Sequence, residues 1–172
     1  MGGKPLSPLA EQCLASWKKY LPDYEIRFWN ELNSPMAHPY VKEMFAQKKW
    51  AFVADYIRFW ALKNEGGIYL DTDMELLKPL QSLVDTVEGE GFVGTSRSGQ
   101  IESSIIGAVP GASFVNEALT FYETTLVYSI KETSPLVLSR AINTNSANVT
   151  IFPATHFFPC EEGEYCGPKK LQ

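Results

Sequence analysis

Two aspartates separated by one residue, Asp71 and Asp73, follow a short apolar segment that begins at Gly66-Gly67. Because side chains alternate along an extended chain, this spacing predicts that both carboxylates point to the same side. Oxygen ligands that converge at the carboxyl end of a strand suit a hard divalent cation that carries phosphates. The pair therefore indicates a Mn²⁺ or Mg²⁺ site, and the alternative is an aspartate-rich turn that caps the next segment.

A second charged pair, Asp55 and Arg58, lies in residues 49–64, where apolar residues cover nearly the whole circumference of a predicted helix. Charges in a helix that is buried on most sides need partners. Two interpretations stay open: an intrahelical salt bridge, worth about 0.3–0.5 kcal/mol if exposed, or a pair that binds sugar or ribose hydroxyls. Tyr69 shares the predicted face of Asp71, where its ring either contacts the same ligand or packs in the core.

The composition indicates one globular domain, which we expect to span residues 1–172. The chain is 45% hydrophobic and 20% charged, which is typical of a folded protein with a sizeable core. Its net charge of -5 and the lack of a basic tract argue against nucleic acid as a partner. The sequence also has no apolar run of membrane-spanning length.

Three cysteines, Cys13, Cys160 and Cys166, are an odd number and lack the spacing of a metal site. This pattern favours reduced thiols, and a disulfide between Cys160 and Cys166 is the alternative. Neither a Walker-type loop nor a G-x-S-x-G motif occurs, which argues against P-loop ATPases and α/β-hydrolases.

Helical and strand patterns alternate along the chain and predict an α/β layered fold. Helices are predicted over residues 8–20 (capped by Ser7), 40–47, 49–64, 112–128 and 135–142, and strands over 24–29, 68–71, 91–95, 102–109 and 149–152. The apolar character of the strand at residues 68–71 suggests a central position in the sheet. Ligands of such sheets bind at the carboxyl ends of the strands, where Asp71 and Asp73 fall.

The combined pattern resembles the DXD-containing glycosyltransferases of family 32, which include capsular polysaccharide and lipopolysaccharide sugar transferases and the yeast initiating mannosyltransferase. The resemblance extends over residues 1–125. It is carried mainly by Ala51-Phe52-Val53-Ala54-Asp55-Tyr56-Ile57-Arg58, Gly66-Gly67-Ile68-Tyr69-Leu70-Asp71-Thr72-Asp73 and Lys78-Pro79-Leu80.

This resemblance implies a GT-A-like fold with α/β/α layers and sugar transfer with retention of anomeric configuration. It also implies a UDP- or GDP-sugar donor, a glycan or lipid-linked acceptor and a Mn²⁺ or Mg²⁺ cofactor. Asp73 would be the direct metal ligand, while Asp71 would contact the donor and assist the metal. Asp55 and Arg58 would bind the hydroxyls of the donor sugar, and Tyr69 would lie alongside the donor.

Members of that family also have an earlier strand that supplies part of the nucleotide pocket, and a later segment that completes the donor site. We expect the chain to lack both and to be shortened at both ends. From the family's biology we expect a bacterial enzyme in the cytoplasm, with peripheral association at the inner membrane surface.

Two other functions stay open. One is a degenerate domain that binds a nucleotide-sugar without turnover. The other, less favoured, is a haloacid-dehalogenase-like phosphatase, in which the first aspartate after a strand is the nucleophile. Met74-Glu75 follow the aspartates here, whereas such phosphatases need Thr or Val.

Overall fold

A four-stranded sheet forms the centre of the computed structural model, which describes residues 5–125, 132–145 and 148–158. The strands are β1 (Gly67–Leu70), β2 (Gly91–Thr95), β3 (Ile101–Ala108) and β4 (Val149–Phe152). Their spatial order is β1-β3-β2-β4. Strand β3 runs antiparallel to both β1 and β2, while β2 and β4 are parallel.

Seven helices surround this sheet in the described residues. They are α1 (Pro8–Tyr20), α2 (Pro39–Ala46), α3 (Trp50–Glu65), α4 (Gln81–Val84), α5 (Ser113–Thr120), α6 (Ser134–Asn145) and α7 (Ala154–Phe157). The Ser7 side chain caps α1 by accepting a hydrogen bond from the Ala10 N–H. Gly66 caps the C-terminal end of α3, and its φ of 67° is accessible to glycine without strain. Among the described residues, none of the helices combines the length and the apolar composition that a membrane span requires.

The two faces of the sheet pack against different hydrophobic clusters. Val93 and Ile106 belong to a cluster with residues of α2, α3, α5 and α6. The neighbouring Phe92 and Ile105 belong to a second cluster, which includes residues of α1 and Leu80, the residue before α4. Each strand therefore sends alternate side chains into two cores. This arrangement confirms the predicted α/β fold with layers on both sides of the sheet.

The predicted strand at residues 24–29 is wrong. Residues 25–30 pair with no strand of the described chain. Tyr24 and Ile26 pack against the α1-side cluster, while Phe28 is 47% exposed. The alternation of apolar and polar residues in this segment therefore reflects packing of Tyr24 and Ile26 on the core, which does not require a neighbouring strand.

The strand before the aspartate pair also differs from expectation. In the described sheet, β1 is an edge strand and not a central one, and it ends at Leu70. The N–H of Met74 donates to the Asp71 carbonyl (3.0 Å), so the chain turns between them. Because the extended conformation stops before Asp73, the alternation from which a common side was predicted does not apply to Asp71 and Asp73.

Most of the other predicted elements are confirmed, and those around residues 40–64 differ by one residue at their ends. The helix predicted over residues 112–128 is shorter: α5 ends at Thr120 and continues as a π-helical segment, Phe121–Thr125, while residues 126–128 lie outside the described chain. Cys13 is a buried free thiol, as predicted. Cys160 and Cys166 lie outside the described residues.

Three glycines, Gly89, Gly91 and Gly94, have the G-x-G-x-x-G spacing of a dinucleotide-binding loop, but they lead into and form β2. That motif requires a turn from a strand into a helix. A Cβ on Gly91 would lie 2.1 Å from the Gly107 carbonyl oxygen, so close packing of β2 against β3 explains this glycine.

Helix α1 fixes the segment that follows β1. The Trp17 indole Nε1 donates to the Met74 carbonyl (2.7 Å). The buried Ser16 hydroxyl donates to the Cys13 carbonyl (2.6 Å) and accepts from the Leu76 N–H (2.9 Å). The chain after the Asp71 turn is therefore tied to α1 by directional bonds.

We predict that Ser16→Ala destabilises the fold by about 1–3 kcal/mol, because the Leu76 N–H would lose its partner in a buried position. Urea denaturation checks this value against Ser82→Ala, which changes an exposed serine in α4. Equal unfolding free energies for the two variants would contradict the anchoring role of Ser16.

Candidate active site

A buried guanidinium lies at the centre of the candidate site. Arg58 projects from α3, and the residue is only 5% exposed. Its Nη2 donates to Asp55 Oδ1 (2.8 Å), and its Nη1 donates to the carbonyl and hydroxyl oxygens of Ser103 in β3 (2.7 and 3.1 Å). The pair predicted from sequence is therefore a buried salt bridge that also joins α3 to the sheet.

The Asp55 carboxylate is held from a second direction by α6. The Ser134 hydroxyl donates to Asp55 Oδ1 (2.7 Å), and the Ser134 N–H donates to Asp55 Oδ2 (3.3 Å). The hydroxyls of Ser134 and Ser103 also lie 2.7 Å apart. Because Ser134 is the first residue of α6, Asp55 places a negative charge at the positive end of this helix, which is favourable.

Asp71 connects this buried group to the surface. Its Oδ1 lies 3.5 Å from Arg58 Nη2 and accepts a hydrogen bond from the Tyr69 hydroxyl (2.6 Å). The Arg58 guanidinium carbon lies 4.7 Å from the centroid of the Tyr69 ring, a cation–π distance. The Asp71 side chain is 29% exposed, whereas that of Arg58 is 6% exposed. We call Asp55, Arg58, Tyr69, Asp71, Ser103 and Ser134 the Arg58 network.

Burial and charge act in opposite directions within this network. Burial raises the pKa of Asp55, and this effect outweighs the lowering by Arg58 and by the hydrogen bonds from Ser134. Burial also raises the pKa of Tyr69, with Asp71 adding to the shift and Arg58 opposing it. The Tyr69 phenol therefore stays protonated and donates to Asp71.

In the described residues, no hydrogen bond or ion pair joins Asp73 to the network. Asp73 is exposed, within the turn that follows Asp71. Its charge contributes, after burial and Glu75, to the raised pKa of Cys13 on α1, which places Asp73 near that helix. The described residues contain no group of three or more His, Cys, Asp or Glu side chains that could hold a metal ion. Four of the five predicted site residues are thus brought together, without Asp73.

Ser103 and Ser134 are the members of the network that the sequence did not single out. The register of β2 against β3 shifts between Val93, which pairs with Ile106, and Gly94, which pairs with Glu102. Ser103 lies in the intervening stretch of β3, and such irregularities often redirect side chains beside functional sites. Ser134 precedes Pro135, a typical helix start, but its partner is 79 residues earlier in the chain.

Comparison with known proteins supports a glycosyltransferase-type region. Residues 8–89 match the family described as "Glycosyltransferase sugar-binding region containing DXD motif". The chain is 34% identical over 84 residues to "Glucan organizing enzyme 1" of Cryptococcus neoformans var. grubii, an alignment that covers 45% of this chain and 23% of that protein. The chain therefore spans less than a quarter of this relative.

A solved structure described as "PaToxG Glycosyltransferase" has a similar fold. The TM-score is 0.62 at 17% sequence identity, and the match covers 82% of this chain and 64% of that one. The fold is therefore GT-A-like, as the sequence predicted. All five predicted site residues lie within the matched residues 8–89, whereas Ser103 and Ser134 lie outside them. In the matched region, the DXD sequence of this chain is Asp71-Thr72-Asp73.

We predict that Arg58→Met destabilises the fold by about 3–5 kcal/mol, because it leaves the Asp55 carboxylate buried without its counter-charge. Arg27→Met is a matched control, since Arg27 pairs with Glu65 at 2.9 Å while 45% of its side chain is exposed. Its loss should cost at most about 1 kcal/mol.

Urea denaturation of both variants measures the difference. Adding Asp55→Asn to Arg58→Met should recover part of the loss, since the buried charge is then removed. Similar small losses for the two arginine variants would contradict the central position of Arg58 in the fold.

Proposed function

We propose that this chain is a metal-dependent glycosyltransferase of the family 32 type. It transfers a sugar from a UDP- or GDP-sugar to a glycan or lipid-linked acceptor, with retention of anomeric configuration. The observation that carries the proposal is Asp71: it lies in the matched DXD region, at the end of a strand, and a buried arginine holds it at the surface. Site and fold agree with a donor that binds at a strand's carboxyl end.

Asp71 and Asp73 fit a divalent cation that is held partly by the donor. Mg²⁺ and similar cations use one or two protein carboxylates and take further oxygens from substrate phosphates. Asp73 is exposed and Asp71 is partly exposed, so both carboxylates can be reached from solvent. We assign Asp73 as the direct ligand and Asp71 as the assisting one. A bound Mn²⁺ or Mg²⁺ would supply Lewis-acid stabilisation of the leaving diphosphate.

The buried residues have separate roles in this proposal. Tyr69 and Arg58 fix Asp71 Oδ1 with a hydrogen bond and an ion pair. Tyr69 lies alongside the donor, and Arg58 with Asp55 binds donor hydroxyls. During transfer, an acceptor hydroxyl attacks the anomeric carbon while the nucleoside diphosphate leaves and takes the proton. The bacterial, cytoplasmic setting at the inner membrane surface stays a prediction from the family resemblance.

A degenerate domain that binds nucleotide-sugar without turnover is the second candidate. Both Asp55 oxygens accept hydrogen bonds from Ser134, and Oδ1 also accepts one from Arg58. A donor hydroxyl could replace Ser134 on Asp55 only if α6 or the Ser134 side chain moved. This observation favours the degenerate domain, in which a nucleotide-sugar binds through Asp71 and Asp73 and its sugar does not contact Asp55.

We predict that UDP or GDP binds only in the presence of Mn²⁺. Asp73→Ala should abolish this binding, because it removes the direct metal ligand. Isothermal titration of each nucleotide, with and without Mn²⁺, measures this effect and identifies the preferred base. Asp23→Ala, which changes another exposed aspartate, should bind as the wild type does.

Equal binding by Asp73→Ala and the wild type would contradict the metal assignment. Release of sugar from the donor, followed by chromatography, separates the two candidates. Hydrolysis or transfer supports the transferase, whereas metal-dependent binding without either reaction supports the degenerate domain.

A further inference from the structure

Helix α6 is connected to the candidate metal site by a series of polar contacts in which successive contacts share an atom. The Ser134 hydroxyl donates to Asp55 Oδ1, and the same oxygen accepts from Arg58 Nη2. That nitrogen also lies 3.5 Å from Asp71 Oδ1. Each step shares one atom with the next. A change at Ser134 therefore alters the hydrogen bonding of Asp55, the carboxylate paired with the only cation that contacts Asp71 in the described residues.

Burial makes this connection stronger than its length suggests. Ser134 is 2% exposed, Ser103 4% and Arg58 5%, so these groups cannot exchange a lost partner for solvent. Hydrogen bonds to charged groups in such surroundings are worth more than exposed ones. Loss of the Ser134 hydroxyl would leave Asp55 Oδ1 with Arg58 alone. It would also remove one of the two partners of the Ser103 hydroxyl, the other being Arg58 Nη1.

We propose that Ser134 is a positioning residue for the DXD site: it holds Asp55, which sets the place of Arg58, which in turn holds Asp71 for the metal and donor. As part of a metal site this inference rests on the proposed function. It extends the site to α6, beyond residues 8–89 that match the DXD region. Residues that orient metal ligands without touching the metal commonly affect affinity by about 10–100-fold.

The same kind of bond elsewhere in the chain provides a matched control. Ser113, the first residue of α5, donates its N–H and its hydroxyl to Glu90 Oε2 (2.7 and 2.6 Å). Ser113 and Ser134 thus both connect the start of a helix to a carboxylate from another element. Of the two carboxylates that accept these bonds, only that of Asp55 belongs to the Arg58 network.

The first test measures, by isothermal titration in saturating Mn²⁺, the affinity for UDP or GDP, whichever the wild type binds more tightly. Ser134→Ala should weaken binding about tenfold, at the low end of the range for such positioning residues. Ser134→Thr keeps the hydroxyl and should restore binding, and Ser113→Ala should bind as the wild type does. Unchanged or tighter binding by Ser134→Ala would overturn the proposal, since tighter binding would mean that Ser134 competes with the donor for Asp55. If Ser134→Ala fails to fold, Ser134→Cys, with its weaker donor, takes its place.

The second test needs no ligand and therefore separates this inference from the proposed function. Urea denaturation of Ser134→Ala, Asp71→Asn and the double variant gives a thermodynamic cycle. Ser134 contacts Asp55, and Asp55 and Asp71 both contact Arg58. The losses of unfolding free energy in the two single variants should therefore not sum to the loss in the double variant, whereas the effects of substitutions at independent sites usually add. Additive effects would overturn the relay even if UDP binds. Non-additive effects in a protein that binds neither UDP nor GDP would support the relay and contradict the proposed function.

Discussion

The burial of the Arg58 guanidinium is the constraint on which the site depends. A buried cation is tolerated only when its charge is matched, since the cost of desolvation is several kcal/mol. Asp55 from its own helix and Asp71 after β1 match the charge of Arg58, and Ser103 of β3 accepts from its Nη1. The Nε of Arg58 has no hydrogen-bond partner in the described residues. Ser134 adds α6 through Asp55. Four elements from separate parts of the chain must therefore meet before the arginine can be buried.

This requirement links stability to the placement of one carboxylate. Asp71 is the most exposed charged member of the network, and the only one that follows a strand directly. Its Oδ1 receives both the Tyr69 hydroxyl and the Arg58 guanidinium, so the side chain is fixed before any ligand arrives. Asp73 lies in a turn that α1 anchors through Trp17 and Met74. A rigid carboxylate beside a more exposed one is an arrangement suited to a metal shared with a diphosphate.

Local patterns predicted a large part of this fold. The capping residue Ser7, the apolar circumference of α3 and the Gly66-Gly67 stop each act over a few residues, so the helices around them were placed correctly. The pairing of Asp55 with Arg58 could also be predicted, because burial of a charged pair follows from the helix pattern.

Contacts between distant segments could not be predicted from local patterns. The bond from Ser134 to Asp55 spans 79 residues, and the shift in β3 that redirects Ser103 depends on pairing with β2. The alternation rule failed at Asp73 because a turn, invisible to that rule, begins at Asp71.

The most direct test of the account is to locate the bound metal by NMR. Backbone amide spectra of the protein with UDP would be recorded in Mg²⁺ and then in Mn²⁺, whose unpaired electrons broaden the signals of nearby nuclei. We expect the broadening to be strongest at residues 69–74, weaker at Arg58 and Ser103, and weakest at the Glu90–Ser113 contact, which lies beyond the Ala108 end of β3. Broadening centred elsewhere, such as at the cavity lined by Lys78 and His156, would contradict a DXD metal site held by the Arg58 network.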